Sequence, residues 1–398
     1  MWAGLSFCPR AALAAPTGIG GTARVVGRAL SAAKRPEQLR IALHGRERPV
    51  EVAVTGAALL ACEGQPVTAP VREVPWVLRR EGDRVRLEQA VSRSCRSVQL
   101  SAPPSPASDG PCRGRAAFSL RVGGIQRCHE GTLEVRAQGG ALRLALTLPL
   151  ERYVASVLVS EAADAPKEAL AAQAVVTRSW ALAHRGRHGD ADACDLTHCQ
   201  LYRGERSPEA DAAALRTDGQ VLRAGGRVVP AFFHASCGGH TAPARAVFGE
   251  PGPAGVPDLA AEGRPYCAEP PWTFELDRGA LAKALRLHPT GAVRVLGRTA
   301  DGRVRAVEVF GRVVAGARFV AEVTRALGYG SLRSARFRVH ADGERLRFEG
   351  EGRGHGVGLC QVGAAARARA GQGYGALLRA YFPGAEVSAV GRAISPGP

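Results

Sequence analysis

Apolar and polar residues alternate in short runs through the first third of the chain. Leu39–Leu43 (LRIAL), Val50–Val54 (VEVAV) and Arg84–Val91 (RVRLEQAV) are followed by Ala116–Val122, Gly131–Val135 and Ala141–Leu148. A period of two predicts half-buried strands with turns between them. Ser101–Gly114 (SAPPSPASDGPCRG) is a Pro/Ser loop that interrupts the series.

The period then changes. Leu150–Gly186 (LERYVASVLVSEAADAPKEALAAQAVVTRSWALAHRG) predicts two helices with a break at Ala163–Pro166. In the first, Val154, Val157 and Leu158 share a face, and the next residue on it is Glu161. The second starts near Pro166, where a proline costs no hydrogen bond. Its inward stripe is Leu170, Ala174, Thr177 and Ala181, and the small residues Ala171, Ala172 and Ala174 allow close approach of another element.

Beyond the helices, 187–204 is a loop dense in polar and metal-ligand side chains. Gly219–Ala235 predicts a hairpin turning at Gly225-Gly226. Glu250–Pro271 is a Pro/Gly-rich surface loop. Strands return over 272–350, with helices at Asp277–Arg286 and Ala317–Leu327, and the chain closes on a glycine-rich loop and a helix at Val362–Ala370. The expectation is an α+β protein: a strand-rich platform, a two-helix segment, and a second strand-rich lobe ending in the glycine loop and helix. Its expected divisions are 1–37 (leader or disordered, rich in Gly, Ala and Arg), 38–115 (strand-rich), 116–250 (core), 251–271 (loop) and 272–390 (second lobe).

Composition changes this picture in two ways. The formal net charge is +17 across 398 residues, almost all from arginine, since only Lys34, Lys167 and Lys283 are lysines. Such a charge favours polyanionic partners, cell-wall polymers among them. No compact basic motif with interleaved aromatics is present, so nucleic acid is not the expected partner. No run of about 18 apolar residues predicts a membrane-spanning helix. Ten cysteines are many for a reducing compartment and suggest an exported, extracytoplasmic protein with disulfides. Met1–Pro16 is only mildly apolar and gives no clear export signal, and Phe7 spoils the likeness of Leu5-Ser6-Phe7-Cys8 to a lipoprotein box.

Four stretches carry candidate chemistry. A carboxylate on the apolar side of a helix, as Glu161 is, suits a general acid because burial disfavours its charged form; a solvent-facing helix end is the alternative. His188, Cys194 and Cys199, with His198 between them, have metal-ligand spacing compatible with tetrahedral zinc, and Cys194 and Cys199 could equally form a disulfide. Gln200 could bind a sugar acetamide and Tyr202 could stack on a pyranose ring, or both could be ordinary core residues. His234-Ala235-Ser236-Cys237-Gly238-Gly239 is a turn whose glycines could turn amides toward a ligand. It has no nucleophile elbow, and Cys237 and Cys267 could pin the Pro-rich loop by a disulfide. The run 353–364 (RGHGVGLCQVGA) lacks the residues that complete a phosphate loop.

Together these stretches resemble the SpoIID/LytB family over about residues 115–388. The matching elements are Leu148-Pro149-Leu150-Glu151, Glu161, the helix Ala172-Gln173-Ala174-Val175-Val176-Thr177-Arg178, Gln200-Leu201-Tyr202-Arg203-Gly204, the His234–Gly239 turn, the Gly354–Ala364 run and Tyr381-Phe382-Pro383-Gly384. Arg152 and Ala162-Ala163 depart from the family pattern. The resemblance implies a peptidoglycan lytic transglycosylase with Glu161 as its acid. It also implies zinc on His188, Cys194 and Cys199, and glycan contacts from Arg178, Gln200, Tyr202, His234, Ser236, Gly238, Gly239, His355 and Gln361. Its LytB side implies the alternative, a binder that stimulates a cell-wall amidase. A hydrolase using the zinc is a weaker third reading, because thiolate-rich sites are usually structural.

Overall fold

The alternating runs do form strands, and these build two facing sheets. A computed structural model describes residues 37–390 apart from 45–47, 58, 68–73, 90–91, 104 and 106–110. The expected leader up to Pro36, which includes the Met1–Pro16 stretch with Cys8, and residues 104 and 106–110 of the Pro/Ser loop therefore lie outside the described residues. The first sheet orders Ala193–Cys194, Gln38–Leu43, Ala141–Pro149, Thr132–Gln138, Ser97–Ser101, Leu59–Cys62 and Gln65–Pro66. The second orders Ile125–His129, Phe118–Val122, Glu51–Thr55, Trp76–Glu81, Arg84–Glu88 and Ser92–Cys95. Alternate residues point inward, among them Leu39, Ile41, Val54, Leu78, Val85, Leu87, Val98, Leu100, Leu133 and Val135, and fill one core. A Cys62–Cys95 disulfide joins the two sheets, and Cys112–Cys128 ties a loop to an edge strand. The division expected at 115/116 cuts through both sheets: Gln38–Leu43 pairs with Ala141–Pro149, and Glu51–Thr55 with Phe118–Val122. Strand pairing between distant segments is not readable from local periodicity.

The strand Ala141–Pro149 runs directly into helix α1 (Leu150–Ala162), with Pro149 at its N-cap and Glu151 in its first turn, where the helix dipole favours an acid. Helix α2 (Lys167–Ala183) opens after Pro166. The remaining helices among the described residues are α3 (Pro208–Arg216), α4 (Ala244–Phe248), α5 (Arg278–Leu285), α6 (Gly316–Leu327), α7 (Gln361–Arg369) and α8 (Tyr374–Tyr381). Every residue of α2 from Ala169 to Ala181 is buried. A helix covered all round belongs at the centre of a fold, and α2, with polar Gln173, Thr177, Arg178 and Ser179 buried as well, packs against α1, α3, α7, α8 and the strand Gln220–Ala224. The expected stripe of four residues was too narrow because the alanines between them are covered as well.

The hairpin after α3 is shorter than expected. Gln220–Ala224 pairs with Arg227–Val228 across Gly225-Gly226, both at positive φ (54° and 77°). Pro230 then ends the return strand, and Phe233–His234 pairs in parallel with Leu359–Cys360 instead. This brings the His234 turn beside the glycine-rich loop. Residues 272–350 form two three-stranded sheets with α5 and α6 and a separate core around Phe319, Phe337 and Phe348.

Candidate functional site

Glu161 lies one helical turn beyond Val157 and two beyond Tyr153, both wholly buried. It is itself partly buried. Its Oε1 accepts the Leu201 N–H at 2.9 Å, whereas Oε2 has no partner among the described residues. Burial raises its carboxyl above the usual range, opposed by the Leu201 hydrogen bond and the Arg203 charge. Arg203 is exposed and has no ion-pair partner among the described residues. The end of α1 is fastened from the opposite side, where Gln361 Nε2 donates to the Glu161 backbone carbonyl at 3.0 Å. Gln361 thus positions the helix end through its amide.

The loop carrying Leu201 is anchored at its start. Ala193–Cys194 adds to the first sheet beside Ile41–Ala42, the Arg40 amide donates to Asp192, and the His44 amide donates to buried Asp195. His188, Cys194, His198 and Cys199 each point one donor atom into a space less than 4.8 Å across. His188 Nε2 lies 3.0 Å from Cys199 Sγ, and His198 Nδ1 lies 3.5 Å from Cys194 Sγ. The Cys199 thiol is drawn down to about 5, chiefly by its hydrogen bond with Cys194 and further by the Cys194 amide and His188, against burial. A thiol poised to ionise among two imidazoles and a second thiol is a chemically suitable donor set for zinc, and His198 joins the three residues named from sequence. Cys194 and Cys199 are free thiols here, not a disulfide.

Several residues expected to touch a glycan are instead enclosed. Arg178 is 0% exposed; its Nε donates to Glu151 at 2.8 Å, Nη2 pairs with the same carboxylate, and Nη1 donates to the Gln220 carbonyl at 2.9 Å. Gln200 is 1% exposed, and its Oε1 accepts the Tyr153 hydroxyl at 3.1 Å. Tyr202 is 2% exposed, stacked between Tyr153 and His129. These three hold the Glu161 platform from within and leave no face for a sugar.

The His234 turn and the glycine loop pack on each other. His234 is buried, with Nδ1 3.1 Å from the Val357 carbonyl, Nε2 unpartnered, and burial pushing its pKa far below the usual value. Ser236 is buried with an unpartnered hydroxyl and reaches no solvent, which weighs against a nucleophile. Gly238 (φ 70°) and Gly239 (φ 96°) shape the turn, but the Gly239 amide donates to Cys267 Sγ, not to an open site. Gly356, at φ 83°, is required because a Cβ there would lie 2.1 Å from the Arg303 guanidinium. The Gly239 amide and Gly356 are thus taken up by internal packing. His355 is partly exposed and ringed by Phe232, His234 and Phe248; its Nδ1 accepts the Val357 amide, and burial lowers it to about 4, opposed by the Phe233 backbone.

Sequence reasoning missed Tyr153, Leu201, Arg203 and the ring series Trp180, His184, Phe232 and Phe248, which runs to His355. Tyr153 was available from its helical spacing to Glu161. The Leu201 contact is made by backbone, which no side-chain pattern reveals. A cavity of 330 Å³ lies at Tyr374, Leu378, Arg379 and Val387, none of them a residue described around Glu161. A second, far smaller, is lined by Arg152 and Tyr202 but not by Glu161.

The fold and site define a mixed α+β protein with one part-buried carboxylate held beside a His/Cys loop. Residues 138–223 match the model of the SpoIID family, described as stage II sporulation protein. The chain is also 34% identical over 142 residues to an uncharacterized protein of Brachyspira hyodysenteriae, a match covering 34% of this chain and 38% of that protein.

Proposed function

We propose that this protein is a peptidoglycan lytic transglycosylase with Glu161 as its single acid–base group. The observation that carries the proposal is the Glu161 carboxyl itself: kept protonated more readily by burial, fixed through Oε1 by Leu201, and free at Oε2. Glu161 would protonate the glycosidic oxygen between MurNAc and GlcNAc as that bond to the anomeric carbon breaks. The resulting carboxylate would take the proton of the same muramic residue's C6 hydroxyl, whose oxygen closes onto the anomeric carbon as an anhydro end. Most glycosidases need two carboxylates to handle an outside water or an enzyme nucleophile. Among the described residues the charge acting on Glu161 is that of Arg203, and no second carboxylate is bonded to it.

The surroundings support a polymeric substrate. Exposed Arg203 could meet an acidic group of the cell wall, and Phe248 with the edge of His355 could pack on a sugar ring. Zinc on His188, Cys194, His198 and Cys199 would have a structural role, holding the loop so that the Leu201 amide meets Glu161. The two disulfides favour an extracytoplasmic location, and no described helix is long and apolar enough to cross a membrane.

Incubating purified glycan strands with wild type and Glu161→Gln tests the proposal. Anhydro-muramic products from wild type alone are expected. Absence of cutting by both, with retained glycan binding and stimulation of an added amidase, would favour the enhancer role instead.

A further inference from the structure

Outside the Glu161 region lies a second cluster of possible ligands, Cys237, Asp258, Cys267 and Cys360. All four are buried, at 0%, 0%, 2% and 0% exposure. One donor atom from each lies within 4.8 Å of the others. They come from three separate stretches: the turn after His234, the Pro/Gly loop, and the N-cap of α7. Buried cysteines alone are commonplace. A fully buried carboxylate facing three thiols is not, because a charge taken from water needs compensation.

We propose that Cys237, Cys267, Cys360 and Asp258 form a second zinc site, separate from the 188–199 loop. Zinc bonds thiolate sulfur at about 2.3 Å, which sets sulfur–sulfur edges of about 3.8 Å in a tetrahedron, a size that fits this cluster. The sulfurs are surrounded as thiolates are. Backbone amides of Cys237 and Gly363 point at Cys360 Sγ, both at 3.3 Å, and the Gly239 amide points at Cys267 Sγ at 3.2 Å. Asp258 is oriented by its outer oxygen: Oδ1 accepts the Tyr381 hydroxyl at 2.9 Å and Arg367 Nε at 3.0 Å, leaving Oδ2 turned to Cys237. Second-layer contacts of that kind orient metal-binding carboxylates.

The competing state is a disulfide. Cys237 and Cys267 are free thiols with sulfurs 3.2 Å apart, where a bridge pinning the Pro-rich loop was expected from sequence. A bridge would use two of the three sulfurs and neither Cys360 nor the Oδ2 of Asp258. A metal uses all four. It would clamp the His234–Gly239 turn and the Pro/Gly loop to the start of α7, whose first residue, Gln361, holds the end of α1.

The test is zinc content of the full chain, purified without chelator and measured by elemental analysis and native mass spectrometry. Cys360→Ser is expected to carry one zinc fewer per chain than wild type. The double variant His188→Ala/Cys199→Ser is expected to retain one, and this can be read even if Cys360→Ser does not fold. An unchanged zinc content in Cys360→Ser overturns the proposal. So does a metal-free double variant, or a Cys237–Cys267 disulfide in peptide maps of the non-reduced wild type.

Discussion

At Glu161 one carboxylate oxygen is bonded and the other is open, and burial raises the pKa above its ordinary value. The raised folded pKa has a consequence for stability. The folded state binds the proton more tightly than the unfolded chain, so stability falls as pH rises from about 4.5 through the folded value. Glu161→Gln removes that loss and keeps an oxygen for the Leu201 amide. It should melt at the same or a higher temperature than wild type at pH 7, the difference vanishing near pH 4. A lower melting temperature at pH 7 would mean that the ionised carboxylate is well solvated. His129 behaves oppositely. Both its ring nitrogens are buried without partners, and burial, with the nearby charges of His44, Arg127 and Arg115, lowers its pKa to about 3. The unfolded chain takes up the proton first, so stability is complete above about pH 6.5 and declines toward pH 3, by at most about 5 kcal/mol. His129→Phe keeps the ring beside Tyr202 and should flatten the acid limb of a melting-temperature profile.

Among the elements, α2 is the one whose role differs most from what its pattern suggests. Its apolar spacing was legible, and so was its start after Pro166. Its position inside five neighbours was not, since that depends on α7 and α8, almost two hundred residues later in the chain. Arg178 shows the same limit. A charged residue in a family motif reads as a ligand contact, but here it joins α1, α2 and the strand Gln220–Ala224 through Glu151 and the Gln220 carbonyl. Arg178→Leu should therefore destabilise the chain by about 3–5 kcal/mol in denaturant unfolding, because it strands a carboxylate and backbone carbonyls. Arg178→Lys should not fully rescue it, lacking the planar fork. A variant with unchanged stability and weakened glycan binding would restore the sequence-based role. The 188–199 loop brings together the donor types that the sequence places at short, local spacing, and zinc there remains a proposal. Cys199→Ser there should lower zinc content and slow cutting without changing the products, since the loop reaches Glu161 only through Leu201. Full activity in a zinc-depleted Cys199→Ser protein would detach the loop from the site.

Across the whole molecule, strands and helices were legible wherever periodicity was strong, and assembly was not. The six alternating runs gave strands, yet the sheets interleave residues 38–101 with 118–149, and the Cys62–Cys95 disulfide staples the two sheets together. Helices α3, α4 and α8 are not among the elements expected from periodicity. The candidate acid was visible from its helical position. Three of its supposed binding partners, Arg178, Gln200 and Tyr202, are enclosed, whereas Glu161, Arg203, His355, Gln361 and Phe248 keep access to solvent. The account therefore rests on one carboxyl carried by a braced helix end. Mass spectrometry of defined glycan strands after incubation with folded wild type and folded Glu161→Gln tests it most directly. The account predicts anhydro-muramic ends from wild type and intact strands from the variant. Hydrolysed, non-anhydro ends from wild type, or equal cutting by the variant, would contradict it.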